Sequence, residues 1–339
     1  MKLFIVGDVH WCQYSSIVRS RGEKYSKRLE NLIETVNYAE KQAEDRNCDY
    51  IVYLGDFFDR SDLNAEELSA LSDVRWGNTR KVFIKGNHEI SSEFCSCSIL
   101  KLLGKVITEP TTLVEPFNDT PVHFLPYISE DKRRSIVEYL QETKCPKIPV
   151  ILSHNDIKGV QMGGFISKQG FEVDDILNSS SIFINGHLHN GDWIVRDRIL
   201  NLGNATGQNF GENAEKYSHR FLVLGTETLS MEFVENPYAL NFYKFDMRGL
   251  TNHEISDTLN RVNHNSSIFV QITDKQNPEN VQTMVNRFLA SRILVETEKL
   301  ESKEIDKISV DHLKDLNDFI LSECSDVPYI REELQEVVR

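Results

Sequence analysis

Five short stretches of this 339-residue chain concentrate aspartate, histidine and asparagine: Asp8-Val9-His10, Asp56-Phe57-Phe58-Asp59-Arg60, Asn87-His88-Glu89, His154-Asn155-Asp156 and His187-Leu188-His189. Taken singly, each reads as a polar turn. Taken together they hold carboxylates, imidazoles and an amide oxygen but no thiolate, a donor set suited to hard-to-borderline divalent cations. There are enough donors for two ions, and Asp56 could bridge them. Two ions roughly 3.5–4 Å apart form a clamp for the attacking water and the leaving oxygen of phosphoryl transfer.

Each stretch directly follows a run that reads as a buried strand: LFIV (3–6), YIVYL (50–54), KVFIK (81–85), PVILS (149–153) and SIFIN (181–185). These runs are short, rich in β-branched or aromatic residues, and end in glycine or polar residues. Gly7, Gly55, Gly86 and Gly186 stand just before four of the polar stretches, where the chain must turn or pass close to another segment. Between the first two runs, Leu29, Leu32, Ile33, Val36 and Ala43 make one stripe of a helix. Alternating strands and helices indicate an α/β layered domain, and the carboxyl ends of its strands form the edge where binding crevices open.

The pattern predicts a first domain over residues 1–240 and a small α/β unit over 241–295, built from NFYKF, a helix at 251–262, SIFVQIT and a helix at 278–291. Residues 296–339 carry thirteen Asp or Glu against six Lys or Arg, with apolar residues at helical spacing. They read as an acidic helical tail that packs on its own domain or docks a partner helix. Six cysteines are scattered without paired CxxC spacing, which predicts reduced thiols, and the single Cys95-Ser96-Cys97 is a weak metal signal. No run approaches a membrane span or a signal-peptide core, so the expectation is a cytoplasmic protein. A net charge of −14 opposes broad, nonspecific nucleic-acid binding, yet leaves room for a metal-dependent enzyme whose ligands are themselves acidic.

The ordered series DVH, GDFFDR, GNHE, an isolated His and GHLH resembles the calcineurin-like metallophosphoesterases over roughly residues 1–205. The resemblance implies a four-layer α/β/β/α sandwich followed by a small C-terminal α/β capping domain and terminal helices. It also implies one metal held by Asp8, His10, Asp56 and His189, and a second held by Asp56, Asn87, His154 and His187. His88 would face the scissile phosphate, oriented by Asp59, as a general acid near neutral pH.

Within that superfamily the continuation Arg60-Ser61 and the opening Lys85 depart from the DRG and RGNHE of serine/threonine phosphatases. The layout of catalytic domain, small α/β module and acidic helices resembles instead the nuclease subunit of the SbcCD complex. So does NLGNATGQNFGE (201–212), just after the last motif. The implied activity is a Mn²⁺-dependent exo- and endonuclease, a homodimer working with an SbcC-like, SMC-type ATPase in DNA recombination and repair. The alternative is a phosphatase or nucleotide phosphoesterase of the same superfamily. Arg19, Arg21, Lys24, Lys27 and Arg28, crowded after the first motif, are candidate contacts to DNA phosphates.

Overall fold

The computed structural model describes residues 1–89, 98–115, 118–142, 148–162 and 165–297. The expectations for Cys95-Ser96-Cys97 and for nearly all of the acidic tail fall outside the described residues. The chain divides into Met1–Val295 and Glu296–Arg339. The described strands and helices lie in the first unit, apart from Glu296, the last residue of the final strand.

Strand β1 (Lys2–Val6) sits inside a six-stranded sheet between β2 (Tyr50–Tyr53) and β13 (Arg220–Gly225), with β3 (Arg80–Ile84) and β4 (Lys105–Ile107) beyond β2, and β14 (Met231–Glu235) beyond β13. A second six-stranded sheet runs β11 (Asp192–Val195), β12 (Ile199–Asn201), β10 (Ser180–Asn185), β7 (Ile148–Ser153), β6 (Asn118–Leu125), β5 (Thr111–Glu115). Its central pairs, β6 with β7 and β7 with β10, are parallel, as are β1 with β2 and β2 with β3 in the first sheet. Parallel strands covered on both faces read as continuous apolar runs, which is why these strands show little alternation in sequence.

Side-chain alternation assigns the layers. Leu3, Ile5, Val52, Leu54, Val82 and Ile84 face Val122, Phe124, Val150, Leu152, Ile182 and Ile184 in a core between the two sheets. The other face of the first sheet, with Phe4, Val6, Tyr53 and Phe83, packs on helices α1 (Lys27–Asp45) and α2 (Ala65–Ser72). The other face of the second, with Leu125, Ile151 and Phe183, packs on α3 (Ile136–Glu142) and α4 (Val173–Ser179). The architecture is an α/β/β/α sandwich, with the polar motifs at the strand ends of both sheets.

A three-stranded sheet, in the order β15 (Phe242–Asp246), β16 (Ser267–Thr273), β17 (Ala290–Glu296), follows the sandwich. Helices α5 (Asn252–Asn260) and α6 (Pro278–Val285) close one face of it over Ile268, Val270 and Ile272. The helix expected at 278–291 is therefore cut short. Asn286 caps it, and ASRILVE forms a strand. Strands β4, β5 and β6 are also elements that the sequence pattern missed. β4 is only three residues long, and Pro121 interrupts the reading of β6.

Candidate metal centre

The polar motifs emerge where β1, β2, β3, β7 and β10 end, and their geometry is unusual at the backbone. His10, Asp56 and His187 all adopt left-handed φ, at 49°, 42° and 75°. Such conformations cost a non-glycine residue of order 1–3 kcal/mol and collect at functional sites. The neighbouring glycines are there for space. A Cβ on Gly86 would stand 2.1 Å from Asp56 Oδ1, and one on Gly55 2.3 Å from His154 Nδ1.

Cross-bonds between motifs fix the rest. The backbone N–H of His187 donates to both oxygens of Asp8, at 3.1 and 3.0 Å. The backbone N–H of His88 donates to Asp56 Oδ1 at 3.0 Å. Glu89 is wholly buried and accepts from Phe58 N at 3.0 Å and Gly86 N at 2.7 Å, so it ties the second motif to the third. Burial, and then the charge of Asp56, push its carboxyl up to about 7.

Three overlapping groups of donor atoms result: Asp8, His10 and His189; Asp56, His154 and His187; and His10, Asp56 and His88. Within each group the atoms lie within 4.8 Å of one another. Asn87 Oδ1 sits 3.1 Å from His154 Nε2 and 2.9 Å from His187 Nδ1, so it joins the second group. His88 therefore lies close enough to be a donor, although its ring is partly exposed at the rim while Asp8, His10, Asp56 and His154 are buried.

The donor set fits divalent cations on two observations. Among the described residues buried His10 Nε2 has no hydrogen-bond partner, and it lies 4.0 Å from Asp8 Oδ2. The electrostatics also call for positive charge. Burial opposes ionisation of Asp56, yet the His154, His10 and His88 rings outweigh it and hold that carboxyl well below the usual range. Burial likewise works against a charged His154, yet Asp56 and then Asp8 carry it up to about 9. A cation bound by these groups would take over the role of that proton.

The family model of the calcineurin-like phosphoesterases matches residues 1–203. The chain belongs to this family. It is 25% identical over 195 residues to a protein of Invertebrate iridescent virus 3 named "Putative phosphoesterase 078R", covering 54% of this chain and 55% of that one. The chain thus spans about half the length of the curated relative it matches. A crystal structure of TT1561 of Thermus thermophilus aligns with 69% of this chain and 98% of that one, at 11% identity and a TM-score of 0.39.

In this calcineurin-like site Asp59 acts differently from the expectation. His88 Nδ1 contacts the backbone oxygen of Asp59 at 2.5 Å, whereas the Asp59 carboxylate faces His10 Nδ1 at 3.3 Å. Burial raises the pKa of Asp59 and its contact with His10 lowers it, with a net fall. Two carboxylates have roles that the sequence did not reveal. Asp156 holds His187 Nε2 at 3.1 Å, leaving Nδ1 toward the cluster. Glu212, buried, approaches His189 Nδ1 at 3.5 Å and accepts from Asn204 Nδ2 at 3.1 Å. Asp156 was visible within the fourth motif and Glu212 within the stretch 201–212, but no spacing named their partners.

The basic stretch divides. Arg19 is exposed; Arg21 pairs with Glu66 at 2.5 Å, Lys24 with Asp73 at 2.5 Å, and Lys27 lies 3.7 Å from Glu30. Arg28 does not fit the expected contact with DNA. It is completely buried, and its guanidinium donates to the carbonyls of Gly207, Val9 and His10 at 2.7, 3.3 and 3.5 Å. Its position on the inner stripe of α1 turns it behind the metal cluster, away from any phosphate in solvent.

Proposed function

We propose that this phosphoesterase is a Mn²⁺-dependent DNA nuclease, cleaving phosphodiesters and acting as a homodimer with an SbcC-like, SMC-type ATPase in recombination and repair. The observation that carries the chemistry is Asp56, buried and common to two donor groups, with His88 at the rim 3.8 Å from its Oδ2. Asp8, His10 and His189 would hold one cation and Asn87, His154 and His187 another, with Asp56 between them. Bound there, divalent cations supply Lewis-acid stabilisation of phosphoester charge. Because His88 Nδ1 donates to a carbonyl, the imidazolium presents its transferable proton on Nε2, toward the site, for the departing oxygen.

The preference for a diester rests on charge. A phosphomonoester dianion asks for a guanidinium clamp, and the arginines near the site are already paired with carboxylates or buried. Arg60 pairs with Glu67 at 2.6 Å, Arg133 lies 3.6 Å from Asp156, and Arg28 is buried. The net charge of −14 is a reason to place much of the DNA-binding surface on the ATPase partner.

The test is hydrolysis of end-labelled duplex DNA with Mn²⁺, with and without the ATPase, beside bis(p-nitrophenyl) phosphate and p-nitrophenyl phosphate. Diester and DNA cleavage support the proposal. Turnover of the monoester far ahead of both diesters favours the phosphatase or nucleotide phosphoesterase reading.

A further inference from the structure

A cleft of about 800 Å³ opens beside His187 and His189, walled on its far side by the segment 209–217. Ligand sites of roughly 300–1,000 Å³ enclose drug-sized molecules, so this cleft has room for far more than the phosphate under attack. Its walls bring together carboxamides at Asn190 and Asn209, a phenol ring at Tyr217 and an ammonium at Lys216. Carboxamides both donate and accept, and so can read the edge of a heterocycle. The ring of Tyr217 is partly exposed, as a stacking surface must be. Lys216 is exposed, and among the described residues it forms no ion pair with a carboxylate, unlike Arg21 and Lys24.

We propose that this cleft is a nucleoside-binding subsite, taking the base and sugar attached to the scissile phosphate, with Tyr217 stacking on the base. The proposal rests on the reading of the metal cluster as a phosphoester site and adds the kind of group the substrate carries. Lys216, at the exposed side of the cleft, favours the negative charge of a nucleotide.

The test uses full-length protein with Mn²⁺ and two non-hydrolysable probes, the 5′-phosphonate of deoxycytidine and methylphosphonate, titrated by calorimetry. The nucleoside phosphonate is expected to bind at least about tenfold tighter, and Tyr217→Ala to weaken it about five- to a hundredfold while leaving methylphosphonate unchanged. Tyr217→Phe, which keeps the ring, retains the tight binding. Methylphosphonate binding also reports whether each variant is folded. Equal binding of the two probes by the wild type overturns the subsite, as does a Tyr217→Ala variant that still prefers the nucleoside. Absence of diester hydrolysis overturns the nuclease reading and leaves this binding comparison intact, so the two failures are distinguishable.

Discussion

The basic stretch 19–28 follows the first motif of the metal cluster in the chain, and the two regions manage charge in opposite ways. In the cluster, Asp8, Asp56 and His154 are buried and each faces several of the others, so no group has a private partner. In the stretch, Arg21 and Lys24 are exposed and each has one local acid. Arg28 follows neither pattern. It is buried, and backbone carbonyls rather than a carboxylate receive its protons. The lesson is that shared, buried charges can do work on a ligand, whereas pairwise exposed ones largely cancel in water.

The largest effect should follow from removing the one cluster residue that stands at the rim. His88→Ala is expected to lower phosphodiester hydrolysis by about 10²–10⁴-fold, the usual contribution of a general acid. Metal content, measured by atomic emission, should stay near that of the wild type. Loss of metal in that variant would make His88 a ligand. Asp59→Asn sharpens the point, because it keeps the backbone oxygen that holds His88. Its effect should be well below that of His88→Ala, and an equal loss would return the orienting role to the carboxylate.

A buried imidazole without counter-charge shows what the cluster avoids. His123, on β6, is wholly buried, with Thr112 Oγ1 at 2.8 Å from its Nδ1, and burial alone pushes it down to about 4. The folded state thus favours neutral His123, while an unfolded histidine titrates near 6.5. Its contribution is fully present above pH 6.5 and is lost as pH falls toward 4. Between pH 7 and 4 the wild type should lose about 3 kcal/mol more stability than His123→Phe, read from urea unfolding at both pH values. Parallel losses would show that the ring is hydrated.

Glu212→Gln tests compensation inside the cluster. Replacing a carboxylate behind a ligand histidine typically costs 10–100-fold in metal affinity. A cation titration followed by calorimetry should show that loss in one binding event and not in the other, since Glu212 approaches His189 while Asp156 supports His187. Equal weakening of both events would mean that Glu212 only stabilises the loop.

These contrasts explain what could be read from the chain. The sandwich strands and the polar motifs at their ends were legible because a strand covered on both faces is an unbroken apolar run, and each such run stops at a polar motif. Strand β17 was missed because the helix expected at 278–291 overlaps only its first two residues, and ILV alone is too short an apolar run to mark a strand. The partners of His187 and His189 were hidden for another reason. Asp156 and Glu212 reach them through loop geometry, and a carboxylate has no periodicity that reveals such a contact. Arg28 looked like its neighbours in a basic stretch, and only the inward stripe of α1 tells it apart.

The smallest effect belongs to the exposed cations. Arg21 and Lys24 each form a 2.5 Å ion pair with an acid of α2 or its C-terminal cap, Glu66 and Asp73. Such exposed pairs contribute little to stability in water. Each is also already neutralised, so releasing it to a phosphate means breaking one charge contact to make another. Arg21→Ala with Lys24→Ala should therefore leave the urea unfolding midpoint and the salt dependence of DNA binding, measured with the ATPase present, nearly unchanged. A phosphate contact by both residues would reduce the slope of log affinity against log salt by roughly two. A fall of that size would show that DNA displaces Glu66 and Asp73, and would restore the stretch 19–24 to the nucleic-acid surface.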